Sequence, residues 1–213
     1  MKKTGIILVI IALITVGCGG RTNNNKQVKT DIIVSLEDST FQNQNQNQTN
    51  KEFLITENGV DIFFIGKQIP FNDEKYSIVK ELEFFEEGIE EPIYIVFKKE
   101  QKMFQIRPEY DYDTEQFTDK IGSITVFSDE FKTAEGIGIG SSIENFINIY
   151  PDFTTWYTYL GGLYVIDTEQ YKRLQFLLDE KDYLKKIEFD SDLTELKISD
   201  FKSHAKIKKI RIY

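Results

Sequence analysis

The stretch at residues 136–151, GIGIGSSIENFINIYP, constrains this chain more than any other. Gly136, Gly138 and Gly140 alternate with Ile137 and Ile139. The isoleucines therefore point to one side, while the glycines permit positive φ or close backbone approach. Ser141 and Glu144, three residues apart, have the spacing of a capping box. Ile143, Phe146, Ile147 and Tyr150 follow as an apolar stripe at helical period. Pro151 cannot continue the helix and disfavours α geometry at Tyr150. The pattern predicts a helix of about two turns, too short to be stable alone in water. Such a helix has to pack on a sheet.

Glycines at a helix start also invite an anion, because the first backbone amides lack partners. A phosphate loop, however, places Lys and then Ser or Thr after its last glycine, and here Ser141-Ser142 follow directly. A dinucleotide fold needs a long crossover helix, which Pro151 forbids. A structural turn is the expected role.

The flanking segments read as strands. Residues 53–55 and 60–65 surround Asn58-Gly59, a two-residue turn signal. Residues 76–85 fit both strand and helix periods, with Gly88 as terminator. Residues 93–98 and 103–107 form an expected hairpin, and 121–127 a further strand. Residues 156–160 and 163–166 flank Gly161-Gly162 as a second hairpin. Residues 174–178 and 183–189 are expected to pair around 179–182, and segments at 196–198 and 207–213 complete the domain. In the last, Ile207, Ile210 and Ile212 alternate with Lys208, Lys209 and Arg211, the pattern of an edge strand with a solvated basic face. Tight turns between successive strands predict an α+β fold, mainly an antiparallel β meander with one or two short helices packed on the sheet. Ile65-Gly66 and Ile139-Gly140 echo one another, each with a Tyr about ten residues on, a weak sign of a duplicated half.

The N-terminus is different in kind. Lys2 and Lys3 precede an apolar run at 6–16 that is broken only by Thr15. Spanning a bilayer takes about 20 residues, so the run fits a cleaved export signal at 1–17 instead. The chain's only cysteine, Cys18, follows Gly17 directly. This resembles the bacterial lipoprotein signal, in which the cysteine becomes the lipidated first residue, although Thr15 stands where that signal usually has Leu. The alternative is an ordinary export signal with an incidental cysteine; a lone thiol in an exported chain has no disulfide partner, which favours lipidation. A diacyl or triacyl chain holds a protein stably on a membrane. Gly19 is not the Asp that often retains such proteins at the inner membrane, which favours the outer membrane. Residues 18–51, with the Gln/Asn-alternating tract at 41–50, then read as a flexible tether, interrupted by Ile32, Ile33, Val34 and Leu36. Residues 52–213 read as a single β-rich domain.

Without residues 1–17 the chain carries 24 basic and 35 acidic residues, net −11. That balance opposes nucleic acid and anionic lipid as partners. Many Phe and Tyr supply a real core at this length.

The glycine segment, the short helix, Tyr150-Pro151 and a following strand with Tyr164-Val165-Ile166 resemble small bacterial envelope lipoproteins of the sigma-E-regulated type. The likeness covers residues 121–178. It implies a β-rich domain on a lipid anchor, and it carries over no catalytic residue.

Little in the chain points to chemistry. His204 is the only histidine, beside Ser203 in a lysine-rich tail, and there is no G-x-S-x-G elbow. Zinc needs several His or Cys ligands. Asp111, Asp113 and Glu115 alternate as in a calcium loop, but Gln116 and Gly122 occupy the positions of its Gly and Glu, so a solvated acidic turn is expected. No cofactor is expected. Acidic residues are too abundant for any pair to single out a glycan-hydrolysing dyad. Binding has the better lead: on an extended chain Tyr157 and Tyr159 share one face and Trp156 the other, and a solvated aromatic face suits a protein or sugar partner. The expected role is a lipid-anchored envelope binding module rather than an enzyme, with another envelope protein as partner. The alternatives are an inhibitor of a basic hydrolase such as lysozyme, toward which net −11 would steer it, and a carboxylate-dependent hydrolase.

Overall fold

The computed structural model of the chain describes residues 53–84, 90–159, 161–187 and 192–213, all within one compact unit, Gln46–Tyr213. The expected leader, the lipidation position Cys18, the tether, and the terminator Gly88 lie outside the described residues.

Three two-residue strands, β1 (Ile55–Thr56), β2 (Gly59–Val60) and β3 (Phe63–Phe64), make a small antiparallel sheet. Only two strands were expected here. Asp61 turns the chain after two residues by adopting a φ of 49°, which splits the second run.

The remaining strands form one nine-stranded antiparallel sheet. In chain order they are β4 (Ser77–Phe84), β5 (Glu90–Lys98), β6 (Gln101–Asp111), β7 (Gln116–Val126), β8 (Phe153–Thr158), β9 (Leu163–Thr168), β10 (Tyr171–Leu178), β11 (Leu193–Glu195) and β12 (Ile207–Ile212). Their spatial order is β11-β8-β9-β10-β12-β7-β6-β5-β4. Two meanders, β4 to β7 and β8 to β10, thus run from the flanks inward, and the C-terminal strand β12 closes the gap between them. The ambiguous segment at 76–85 resolves as strand β4.

Two expectations are corrected. The basic-faced C-terminal strand is central, paired with β10 through Phe176↔Ile210 and with β7 through Ile210↔Val126. Residues 183–187 do not pair with β10. Asp179 caps a 3₁₀ turn at Glu180–Asp182, and Tyr183 instead bridges to Phe201. The edge of β10 is taken by β12, whose isoleucines have a deeper place to go.

One face of the large sheet holds the core. Phe104, Ile106, Ile124, Val126, Ile210, Ile212 and Phe176 are all fully buried there. The small sheet covers the β6 side, with Phe63 edge-on to Phe104 at 4.8 Å. Helix α1 (Ile143–Ile149) covers the β10 side, with Phe146 edge-on to Phe176 at 4.8 Å. Each buried aromatic side chain of this size contributes about 1.5–3 kcal/mol relative to exposure.

The glycine segment is a clamp rather than a strand. A side chain at Gly138 would place its Cβ 2.3 Å from the Phe131 carbonyl oxygen, so only glycine fits. Gly140 turns with a φ of 83° and donates to Ile207, while Ile143 donates to Ala205; the helix start is therefore pinned to the lead-in of β12. Gly66 makes the corresponding bond to Ile121 of β7, so the Ile-Gly pairs noted in the sequence occupy matching places before the two meanders. The cap is Ser142, not Ser141. Ser142 accepts from Asn145 N at 3.1 Å, whereas the Ser141 hydroxyl is occupied by Gly138 N at 3.0 Å. The helix is short, as expected, and ends at Tyr150 before Pro151.

Candidate functional site

Strand alternation puts a second set of side chains on the other face of the large sheet. Register fixes two rows across it. One runs Gln175, Arg211, Thr125, Gln105, Ile95, and the other Trp156, Val165, Leu177, Lys209. Ile95, Val165 and Leu177 are the buried apolar members of these rows, and Leu177 lines the cleft that opens on this face. Around them the face is polar. A cleft of about 500 Å3 opens here, lined by Gln105, Arg107, Ser123, Thr125, Lys209 and Arg211 among others, including Gly161 of the β8–β9 turn and Leu163 at the start of β9.

The charges in this cleft are organised. Arg107 donates to Glu91 at 2.8 Å and also to Glu83, so one guanidinium holds carboxylates from β4 and β5. Arg211 donates through Nε to Gln175 Oε1 at 2.8 Å. Burial pulls the Arg211 guanidinium below its ordinary value, partly offset by nearby Tyr213 and Asp167. The Asp167 carboxyl is raised, chiefly by burial; the indole N–H of Trp156, donating at 2.6 Å, and the charge of Arg211 oppose that shift. Its other oxygen, Oδ1, is buried without a hydrogen-bond partner. Asp167 also lines a second depression of about 540 Å3 with Asp152, Thr154, Glu169 and Lys172.

The three aromatics singled out in the sequence do not act together. Trp156 is on the second face, bound to Asp167. Tyr157 is half-buried against the core, with its ring 4.9 Å from that of Tyr164, which in turn meets Tyr183 and Phe201. Tyr159, 57% exposed, lies beyond the end of β8. Tyr157 thus leans on Tyr164, its register partner on β9, while Tyr159 remains exposed. The residues missed, Gln105, Arg107, Ser123, Thr125, Lys209 and Arg211, carry one signal in the sequence. Gln105, Thr125 and Arg211 each stand between two buried apolar residues, and Arg107, Ser123 and Lys209 lie two positions from them on β6, β7 and β12.

The Asp111 motif forms the β6–β7 turn. Asp111 Oδ1 accepts from the amides of Asp113 at 2.9 Å and Thr114 at 3.4 Å, and these bonds hold its carboxyl below the usual range. Among the described residues, no group of three or more His, Cys, Asp or Glu is placed to hold a metal ion.

No protein-family model and no curated protein matches the chain. Among solved structures it is similar to the crystal structure of the uncharacterized protein yfeY from Escherichia coli, with a TM-score of 0.46 and 13% identity over 75% of this chain and 98% of that one.

Proposed function

We propose that the protein is a lipid-anchored bacterial envelope protein whose α+β domain works by binding another envelope protein on the second face of its large sheet. The single observation that carries this reading is the contrast between the two faces. One is covered by the small sheet and α1, and the other forms a cleft of about 500 Å3 in which polar side chains surround the buried Leu177. An apolar centre with a polar surround is the usual make-up of a recognition surface. Glu83 and Glu91 offset two of the cleft's three cations, Arg107, Lys209 and Arg211, and the single positive charge left over, in a chain that is acidic overall, suits a partner surface bearing carboxylates. Binding is preferred to catalysis because Glu83 and Glu91, the carboxylates lining the cleft, are both engaged by Arg107.

Cys18 as the lipidated first residue supports placement in the envelope, with the outer membrane favoured over the inner. Intact mass of the mature protein tests this: a diacylglyceryl-modified Cys18 is expected, and an unmodified N-terminus at another residue contradicts it. For the cleft, Thr125→Trp fills the space above β7. The variant is expected to keep its melting temperature yet lose an envelope protein that the wild type retains on a column; equal retention overturns the cleft as the binding site.

A second reading, inhibition of a basic hydrolase such as lysozyme, is favoured by the net charge of −11 without residues 1–17. Assay of lysozyme with added protein at low and high salt tests it, and no inhibition at low salt ends it.

A further inference from the structure

The β6–β7 hairpin reaches past its neighbours. β5 pairs with β6 only from Gln101 to Ile106, and β12 with β7 only from Ile124 to Val126. The segment at 66–69 supports β7 as far as Asp119, through Ile69 N to Asp119 O at 2.8 Å. Beyond that point β6 and β7 pair with each other alone among the described strands, through Tyr110↔Phe117 and Asp111↔Gln116.

The tip carries three aromatic rings in mutual contact. Tyr110 meets Phe117 edge-on at 5.0 Å and Tyr112 at 5.1 Å. Tyr112 is 85% exposed, and Tyr110 and Phe117 are 37% and 36% exposed. Tyr112 thus stands almost wholly in water on two rings that keep about a third of their surface exposed, an apolar patch that gains by being covered. Their setting says by what. Between Glu109 and Lys120 there are five carboxylates, Glu109, Asp111, Asp113, Glu115 and Asp119, against the single Lys120. That charge repels anionic lipid and nucleic acid and attracts a basic protein surface. The shape is also set in advance, because the Asp111 carboxylate binds two amides of its own turn. A pre-ordered loop loses less entropy on docking.

We infer that the β6–β7 tip is a docking finger for a basic, cleft-bearing hydrolase: the rings of Tyr110, Tyr112 and Phe117 enter the cleft while the carboxylates face its cationic rim. This rests on the inhibitor reading and is separate from the cleft around Thr125, at the far end of the same strands.

Full-length protein is titrated with lysozyme as the basic, cleft-bearing probe, with binding and residual lysozyme activity both read. Wild type is expected to bind and inhibit, with affinity falling as salt rises. Tyr112→Ala/Phe117→Ala removes exposed side chains and should keep the melting temperature while weakening lysozyme binding by at least about tenfold. Asp113→Asn/Glu115→Gln keeps the rings and should slow association and flatten the salt dependence. If wild type inhibits and the double alanine variant inhibits equally, the finger is wrong and the inhibitor reading survives. If wild type neither binds nor inhibits, both fall. Binding to neutral phosphatidylcholine vesicles that the double alanine variant abolishes, without binding to lysozyme, overturns a protein partner in favour of a membrane one.

Discussion

The hydroxyl of Tyr150 donates to the Glu135 carboxylate at 2.8 Å, tying the residue that ends α1 to the loop that leads toward its start. Because that proton is committed, the Thr133 hydroxyl, 2.7 Å away, supplies its own to Tyr150, and it accepts in turn from Ile137 N at 3.2 Å. Tyr171 and Gln170 also donate to Glu135, which brings β10 into the same network. Burial pushes the Glu135 carboxyl up, but the hydrogen bonds from Tyr150 and Tyr171 outweigh it and hold the group below its ordinary 4.5.

Tyr150→Phe keeps the ring and removes this link together with the bond between the Tyr150 and Thr133 hydroxyls. A loss of about 1–2 kcal/mol is expected by urea denaturation. An unchanged midpoint would show that the network contributes nothing to stability.

The same tyrosine gives the fold an alkaline limit. Burial raises the Tyr150 and Tyr76 hydroxyls well above the ordinary 10.0, and burial with the Glu135 hydrogen bond pushes Tyr171 up to about 12. Between the unfolded and folded values the native state holds protons that the unfolded chain has released. Stability from these groups is therefore intact below pH 10 and falls as pH climbs, through about 12 for Tyr171. Each such tyrosine contributes up to about 1.4 kcal/mol per pH unit across that window. Urea titrations at rising pH should show the decline, with a shallower slope in Tyr150→Phe.

Gly138 and Gly140 separate two reasons for glycine. At Gly138 the φ is ordinary but an added Cβ strikes the Phe131 carbonyl, whereas at Gly140 there is open space but a φ of 83°. Gly140→Ala should cost about 1–2 kcal/mol of left-handed strain. Gly138→Ala has to move backbone and should cost more, with a visible change in the amide spectrum around Phe131. Equal, small losses would show that the clamp is loose.

Ile210 tests the position of β12. In a central strand, truncation to Ala should cost about 2–5 kcal/mol, and the β12 amides should exchange only through global unfolding. Fast exchange along β12 would return it to the edge.

Much of this fold was legible before the structure. Pro151 limited the helix, Gly161-Gly162 marked a hairpin, and antiparallel pairing followed from the short turns. The serine cap was displaced by one residue because Ser141 was already bonded to Gly138, a contact that depends on how the clamp folds back. The centrality of β12 was not legible, since its partners β7 and β10 are far away in the chain and a Lys-Ile alternation looks the same at an edge. The polar second face was hidden for a related reason: Gln105, Thr125 and Arg211 resemble solvated positions until register aligns them in one row. Tyr157 leans on Tyr164, a partner that only the β8–β9 register sets opposite it.

The claim that the second face receives the partner is tested most directly by site-specific photo-crosslinking in the native envelope. A photoreactive residue in place of Thr125, which lines the cleft, is compared with one in place of Glu74, which is exposed between the small sheet and β4. A discrete protein adduct from position 125 and none from 74 is the predicted result; adducts from 74 alone, or from neither, would contradict it.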